Sequence, residues 1–114
     1  MTIYALSSGP GTSGVAVIRL SGQNTSKVIK LLTDKELPKP RVATLRKINK
    51  ISTSELIDEG LILWFPGPES YTGEDMAEIQ VHGSKAVVDA LHSSLSDIEN
   101  CRLAEPGEFT KLAF

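Results

Sequence analysis

The sequence lacks the features that mark several classes of protein. Cys101 is the single cysteine among 114 residues, which excludes a disulfide framework or a thiolate metal cluster and favours a reducing compartment. No apolar run approaches the ~18 residues of a membrane-spanning helix, and strand-like sequence begins at Thr2. We therefore expect no membrane contact, no signal or transit peptide, and a soluble cytoplasmic protein.

The sequence also has little net charge. Its formal net charge is −2 and its isoelectric point is near 5.6, which argues against the broad basic surface that non-specific nucleic-acid binding requires. The charges are nevertheless segregated, because residues 27–50 contain eight bases and two acids whereas residues 51–78 contain seven acids and no base. This pattern predicts either a bipolar solvated surface or a polar docking face for a partner.

Motifs of the common catalysts are missing as well. The chain has no Walker A motif and no G-x-S-x-G elbow, and neither His82 nor His92 has an acid paired with it nearby in the sequence. Glu74, Asp75 and Glu78 could hold a hard cation or act as paired carboxylates, but no D-x-D-x-D-G loop or second ligand cluster accompanies them. We therefore predict no catalytic residues and no metal site in this chain.

Residues 9–14, GPGTSG, formally satisfy the G-x-G-x-x-G pattern. That pattern holds a dinucleotide only when a helix N-terminus follows the last glycine. The next residues, VAVIRL, have the composition of a strand. We interpret the motif as a glycine-rich turn between two strands.

The remaining pattern predicts one α+β domain over residues 1–114, with a mixed or antiparallel sheet and two to three helices. The segment at 2–7 is expected to be an edge or first strand, and the apolar runs at 15–20 and 60–65 to be central strands buried on both faces. The predicted strands cover residues 2–7, 15–20, 41–51, 56–65, 76–82 and 101–104, and the predicted helices cover 24–33, about fourteen residues from 84, and a segment from 108.

The two longer helices are predicted to bury one apolar stripe each. Asn24 or Thr25 is the expected cap of the first helix, and Lys85 and Asp89 the expected ion pair of the second. The inward positions are Val28, Leu31 and Leu32 in the first helix and Val87, Leu91 and Leu95 in the second.

Two charged residues stand out on these strands. Arg19 interrupts an apolar run, and Glu78 lies on the polar side of the alternating strand 76–82, together with Gln80 and His82. A buried arginine is costly unless it is paired, so Arg19 and Glu78 either form a structural salt bridge or wait in a pocket for a ligand. A carboxylate suits the amidine-like edge of pterins and guanines. The residues alone leave both alternatives open.

The loop before that strand, residues 66–75, is rich in proline, glycine and carboxylates. Its turn formers predict a rigid turn that aims the following strand. Glu74 and Asp75 are expected to serve this turn or a protein contact.

Six motifs together resemble one known family, the N-terminal domain of the tRNA-modification GTPase MnmE, also called TrmE. The resemblance covers essentially the whole chain. Met1 directly before the first strand is more similar to bacterial members than to mitochondrial ones. The motifs are IYAL (3–6) with the Gly-Pro-Gly turn, IRLSG (18–22), WFPGP (64–68), YTGED (71–75), VHG (81–83) and PGEFT (106–110).

The resemblance implies a domain similar to folate-binding one-carbon enzymes such as the aminomethyltransferase of glycine cleavage. It further implies binding of a 5-formyltetrahydrofolate-type cofactor and homodimerisation of a parent GTPase. The family's folate-contacting arginine matches Arg19, and its folate-contacting glutamate matches Glu78. With the flavoprotein MnmG (GidA), the parent would modify the wobble uridine of certain tRNAs.

The resemblance also implies parts that lie outside this sequence. A third folate contact, a lysine, would follow Phe114, as would the helical domain, the C-terminal cysteine and the GTPase domain with its GTP, Mg²⁺ and K⁺. Ser84-Lys85 departs from the Gly-Pro of many members and should alter the helix entry. The expected function is thus a folate-binding and dimerisation module that is not an enzyme by itself; the alternative is a dimerisation or docking scaffold without a ligand.

Overall fold

The computed structural model describes residues 1–7 and 14–114. In these residues six strands form one sheet and three helices accompany it, which confirms the predicted α+β class. The elements are β1 (Thr2–Leu6), β2 (Val15–Ser21), α1 (Thr25–Thr33), β3 (Thr44–Asn49), β4 (Leu56–Phe65), β5 (Met76–His82), α2 (Lys85–Ser96), β6 (Cys101–Leu103) and α3 (Glu108–Ala113).

The sheet is mixed and its strand order is β3-β4-β5-β2-β1-β6. The pair β1–β6 is parallel and every other neighbouring pair is antiparallel. β2 and β5 occupy the middle of the sheet, as predicted for β2. The prediction that residues 60–65 form a central strand buried on both faces is wrong, because β4 is second from the edge and Leu61, Leu63 and Phe65 are only partly buried. β1 is the first strand but does not lie at the edge, because the short strand β6 pairs along its outer side.

One face of the sheet, here called the covered face, packs against α1 and α2 and contains the core. Ile18, Ile79 and Ile62 are cross-strand partners at its centre, and each is fully buried. We call these three the isoleucine row. Side chains alternate along a strand, so the next residue of each strand projects from the opposite, open face. The other strand residues of the core cluster are Tyr4, Ala16, Leu20, Ile48, Trp64, Ala77, Val81 and Cys101.

The expectation that β2 is buried on both faces is wrong, because its side chains on the open face are exposed or only partly buried. Val15 is 51% exposed, and Val17 and Arg19 are only partly buried. The two helices that cover the core both pack on the other face. The apolar side chains of β2 on the open face are therefore left exposed or only partly buried.

Helix α1 buries a different stripe from the one predicted. Val28 and Leu32 face the core as expected, but Ile29 is buried and Leu31 is 42% exposed. Thr25 is buried as well and donates its hydroxyl to the Gly22 carbonyl at 2.8 Å. Asn24 occupies the cap position, yet its side chain makes no capping hydrogen bond.

Helix α2 begins as predicted after Ser84, whose hydroxyl accepts the Val87 N–H at 3.2 Å. Leu91 and Leu95 are fully buried against the covered face. The predicted ion pair is present, with Lys85 Nζ 2.6 Å from Asp89 Oδ2. This helix therefore closes the core over β4, β5 and β6.

β4 and β5 approach each other closely at Gly60. A Cβ atom there would lie 2.2 Å from the Gln80 carbonyl oxygen, which is too close for two non-bonded heavy atoms. Glycine is required at this position because of that approach.

Three further expectations concern the glycine-rich turn, the helix α3 and membrane contact. The glycine-rich turn at residues 9–11 lies outside the described residues, although β2 begins directly after Gly14. α3 forms where predicted, but none of its residues is buried, so its expected apolar side contributes nothing to the core. Among the described residues, no helix is long and apolar enough to cross a membrane.

Candidate functional site

The sheet brings Arg19 and Glu78 together. The two residues are direct partners in the antiparallel pair β2–β5 and project from the open face, one residue along from the isoleucine row. Arg19 Nε donates to Glu78 Oε1 at 3.2 Å, and the two side chains are 41% and 22% exposed. Leu63 of β4 is the next partner in the same line. We call Arg19, Glu78 and Leu63 the charged row.

The Arg19–Glu78 ion pair uses only some of the hydrogen-bond donors and acceptors of its two side chains. A guanidinium carries several N–H donors in a planar fork, and a carboxylate has two oxygens with several acceptor positions. Within residues 1–7 and 14–114, the structure gives Arg19 and Glu78 one hydrogen bond, through Nε and Oε1. Among the described residues, the two Nη groups of Arg19 and Oε2 of Glu78 are therefore left for another partner.

A cavity of about 270 Å³ lies over this pair. Phe65, Tyr71 and Met76 form its walls and the charged pair forms its polar side. Phe65 and Met76 are cross-strand partners, so β4 and β5 place both beside Glu78. Apolar walls with a few polar groups are the usual composition of a small-molecule site. The three wall residues were not predicted individually, since only the strand register and the loop path bring them together.

A larger cavity of about 450 Å³ adjoins Arg19 on its other side. The end of β1 and residues 103–110 line it, and Phe109 of α3 contributes an aromatic ring. Arg19 borders both cavities and so lies between them.

The loop 66–75 is a hydrogen-bonded turn, as predicted. Asp75 Oδ1 accepts the Gly67 N–H at 2.9 Å, and the Asp75 carbonyl accepts the Gly22 N–H at 2.9 Å. Glu74 Oε1 accepts the Ser21 hydroxyl at 3.1 Å. Both carboxylates therefore serve the turn. In the described residues no group of three or more His, Cys, Asp or Glu side chains converges as a metal site would require.

A second arginine–glutamate pair joins β6, at one edge of the sheet, to α3. Arg102 of β6 makes two parallel hydrogen bonds to Glu108 of α3, at 2.8 and 2.6 Å, and Glu108 also accepts the Glu105 N–H at 2.9 Å. These bonds, the one from Arg102 first, lower the pKa of Glu108 to about 2. The same contact raises the pKa of Arg102. Sequence reasoning missed this pair, because Glu108 was seen only as part of a helix start.

The structure also corrects the expectation that neither histidine has a paired acid. His82 Nδ1 lies 2.9 Å from Asp58 Oδ2, and the His82 backbone N–H donates to the same carboxylate at 2.8 Å. Burial alone would raise the pKa of Asp58, but these hydrogen bonds outweigh it and the pKa is lowered. The acid lies on the neighbouring strand β4, 24 residues from the histidine in sequence.

Fold and site together define a small α+β domain with a ligand-sized pocket on the open face of its sheet. The model of one protein family, described as "GTP-binding protein TrmE N-terminus", matches residues 2–114. The chain belongs to this family.

Individual relatives agree with that assignment. The chain is 78% identical to the tRNA modification GTPase MnmE of Pelagibacter ubique over 114 residues, which are all of this chain and 26% of the relative. It is 50% identical over 113 residues to the mitochondrial 5-taurinomethyluridine-[tRNA] synthase subunit GTPB3 of Danio rerio, covering 99% of this chain and 22% of the relative. The chain therefore spans about a quarter of the length of these relatives.

Proposed function

We propose that this domain binds a tetrahydrofolate one-carbon derivative of the 5-formyl type in the cavity over Arg19 and Glu78. The observation that carries the proposal is the half-satisfied ion pair at the polar side of a 270 Å³ cavity with apolar walls. A pair that existed only for stability would gain from using both ends of the guanidinium fork. The family resemblance, with the same two residues as folate contacts, points to the same pocket.

The chemistry of the two groups fits the ring of such a ligand. The pyrimidine end of a pterin carries a ring N–H beside an exocyclic amine, and both can donate to one carboxylate in parallel. Glu78 has Oε2 and the remaining lone pair of Oε1 for these donors. Arg19 can donate its Nη groups to acceptors of the ligand. Phe65, Tyr71 and Met76 would remove the flat ring surfaces from water.

The wider role follows from the relatives. Their names describe tRNA modification GTPases and a tRNA-modifying synthase subunit, so we propose that this domain is the N-terminal module of a GTPase that modifies the wobble uridine of tRNA in the cytoplasm. The module would form a homodimer, and the parent would act with the flavoprotein MnmG. GTP, Mg²⁺ and K⁺ would bind to other domains of the parent.

Calorimetric titration with 5-formyltetrahydrofolate tests the ligand. Arg19→Ala and Glu78→Ala should each weaken binding at least tenfold, about 1.4 kcal/mol, because each removes a charge-assisted hydrogen bond. Gln80→Ala is the matched control, since Gln80 lies on the same face two residues along β5 and outside the lining of the cavity. Binding that survives both substitutions would contradict the assignment of the site. The titration should be repeated with a chain of the relatives' full length, which supplies the lysine expected after Phe114.

A second candidate is a docking scaffold without a ligand. The apolar side chains of Val15 and Leu45 favour it, because they are 51% and 58% exposed and line the same cavity on the open face. Exposed apolar groups that lie near one another are typical of protein contact surfaces. A dimer in light scattering, combined with a melting temperature that 5-formyltetrahydrofolate does not change, would support the scaffold over the binding module.

A further inference from the structure

Residues 66–75, here called the strap, cross the open face beside the ion pair and are held there by a chain of hydroxyl groups. Ser21 Oγ lies 2.7 Å from Thr72 Oγ1 and 3.1 Å from Glu74 Oε1. Ser21 belongs to β2, two residues after Arg19, and is 1% exposed. The strap is thus anchored to the strand that carries the arginine of the site.

The directions of these hydrogen bonds follow from the groups involved. An ionised carboxylate only accepts, so the Ser21 hydroxyl donates to Glu74. Ser21 has one proton, and the Thr72 hydroxyl must therefore donate to Ser21 Oγ. Thr72 Oγ1 in turn accepts the Glu74 N–H at 3.3 Å. Each donor in this hydrogen-bonded series has an acceptor, which gives the strap one defined position over β2.

Further anchors fix the strap at its two ends. Arg41 donates to the Glu69 carbonyl at 2.6 Å near the beginning, and Gly22 donates to the Asp75 carbonyl at 2.9 Å at the end. Tyr71 lies between these anchors, directly before Thr72. Its ring lines the cavity, and it meets Phe114 edge to face at a centroid distance of 6.5 Å.

We propose that Tyr71 is a specificity-determining residue, and that the hydroxyl chain of Ser21, Thr72 and Glu74 is the device that positions it. The strap holds the phenol ring as a wall beside Glu78, so that a ligand bound by its N–H edge to the carboxylate lies with its flat surface against an aromatic ring. The site then selects a planar nitrogen heterocycle with two adjacent N–H donors, such as a pterin or a guanine. This inference rests on the proposed function for the ligand itself.

Titrations of Tyr71 variants test the aromatic wall. The probes are 5-formyltetrahydrofolate, pterin, guanine and p-aminobenzoylglutamate, the last of which lacks the heterocycle. Tyr71→Leu should weaken binding of the first probe about tenfold, since stacking on one aromatic ring has roughly that value. Tyr71→Phe should restore most of the affinity, because it keeps the ring. Any weak binding of p-aminobenzoylglutamate should be the same in both variants.

The positioning role is tested at Thr72, where matched variants separate the hydroxyl from the volume of the side chain. Thr72→Val removes the hydroxyl at nearly constant shape and should weaken 5-formyltetrahydrofolate several-fold, while Thr72→Ser keeps the hydroxyl and should not. In the unliganded protein, Thr72→Val should also accelerate amide hydrogen exchange in residues 70–75 without doing so in the helix α2. Equal affinity and exchange for the two Thr72 variants would overturn the positioning role.

The outcomes for the ligand and for the wall are distinguishable. If 5-formyltetrahydrofolate binds but Tyr71→Leu and Tyr71→Phe bind it equally, the proposed function stands and the inference about Tyr71 is wrong. If 5-formyltetrahydrofolate fails to bind but pterin or guanine binds in a manner that depends on the Tyr71 ring, the inference stands and the proposed ligand is wrong. If none of the heterocycles binds, both are wrong.

Discussion

On the covered face of the sheet the isoleucine row is fully buried, whereas one residue further along the same strands the charged row is partly open to solvent. The backbone register of the two rows is the same, and only the side of the sheet differs. Helices α1 and α2 make the first row part of a core, while the strap and the cavity border the second. The comparison indicates that the helix-covered core and the proposed ligand site lie on opposite faces of the same strands.

Two arginine–glutamate pairs, which both lie on the open face, differ in how fully they are hydrogen-bonded. The Arg102–Glu108 pair uses both ends of the guanidinium fork and has a third donor from the backbone. The Arg19–Glu78 pair uses one nitrogen and one oxygen beside a cavity. A saturated pair fixes its two elements to each other, and an unsaturated pair retains the capacity to bind something else.

The largest expected effect is at the isoleucine row. Ile79→Ala should lower the free energy of unfolding by about 2–5 kcal/mol, because it leaves a cavity in a fully buried site. Urea denaturation followed by the fluorescence of Trp64 measures this change. Gln80→Ala, one residue along on the open face, should cost less than about 1 kcal/mol. Similar losses for the two variants would break the distinction between the faces.

A smaller effect is expected where the helix that covers the core begins. Ser84→Ala removes the hydroxyl that accepts the Val87 N–H and should cost about 1 kcal/mol of stability. Ser93→Ala is the control, since Ser93 is an exposed residue of the same helix and should change stability by less than about 0.5 kcal/mol. Neither change should alter ligand affinity, because α2 lies on the covered face. A Ser84→Ala variant as stable as the parent would show that the cap contributes nothing.

At the charged row the same measurement should give a small change. Glu78→Gln breaks a partly exposed ion pair with nearly constant shape, so the free energy of unfolding should fall by no more than about 1 kcal/mol. Affinity for 5-formyltetrahydrofolate should fall at least tenfold in the same variant. A stability loss as large as that of Ile79→Ala would instead identify Glu78 as a structural residue.

The smallest effect is a pH dependence at the saturated pair. The pKa of Glu108 is about 2 in the folded protein against an ordinary value of 4.5. Since the pKa is lowered on folding, the carboxylate stabilises the folded state above about pH 4.5, and this contribution is lost as the pH falls towards 2. Glu108→Gln should therefore flatten the slope of stability against pH in that window. Arg102→Met should flatten the same part, and a slope that persists in both variants would contradict the assignment.

Much of the fold could be predicted because it depends on local pattern. β5 was predicted over residues 76–82 and forms there, since strict alternation of apolar and polar residues is specific to a strand with one buried face. The inward side of α1 could not be predicted as reliably. Ile29 and Leu31 flank the same stripe, and the choice between them depends on the burial of Thr25, whose hydroxyl finds a carbonyl acceptor.

The site depends more on tertiary structure. Arg19 and Glu78 are 59 residues apart, and only the register of β2 with β5 makes them partners. Their residue types suggested a salt bridge or a pocket, and the structure contains the salt bridge and a cavity beside it. The sequence indicated Tyr71 only as part of a turn and of the YTGED motif, since its place at the cavity depends on the hydrogen bonds between Ser21 and the strap.

The close approach at Gly60 has a consequence for the proposed pocket. Gly60 lies on β4 three residues before Leu63, the neighbour of Glu78 in the charged row. A Cβ atom at position 60 would meet the carbonyl of Gln80 and force β4 away from β5, and these two strands carry the cavity residues Phe65, Met76 and Glu78. The spacing of the strands beneath the proposed pocket is thus set in part by a residue that has no side chain and does not line the cavity.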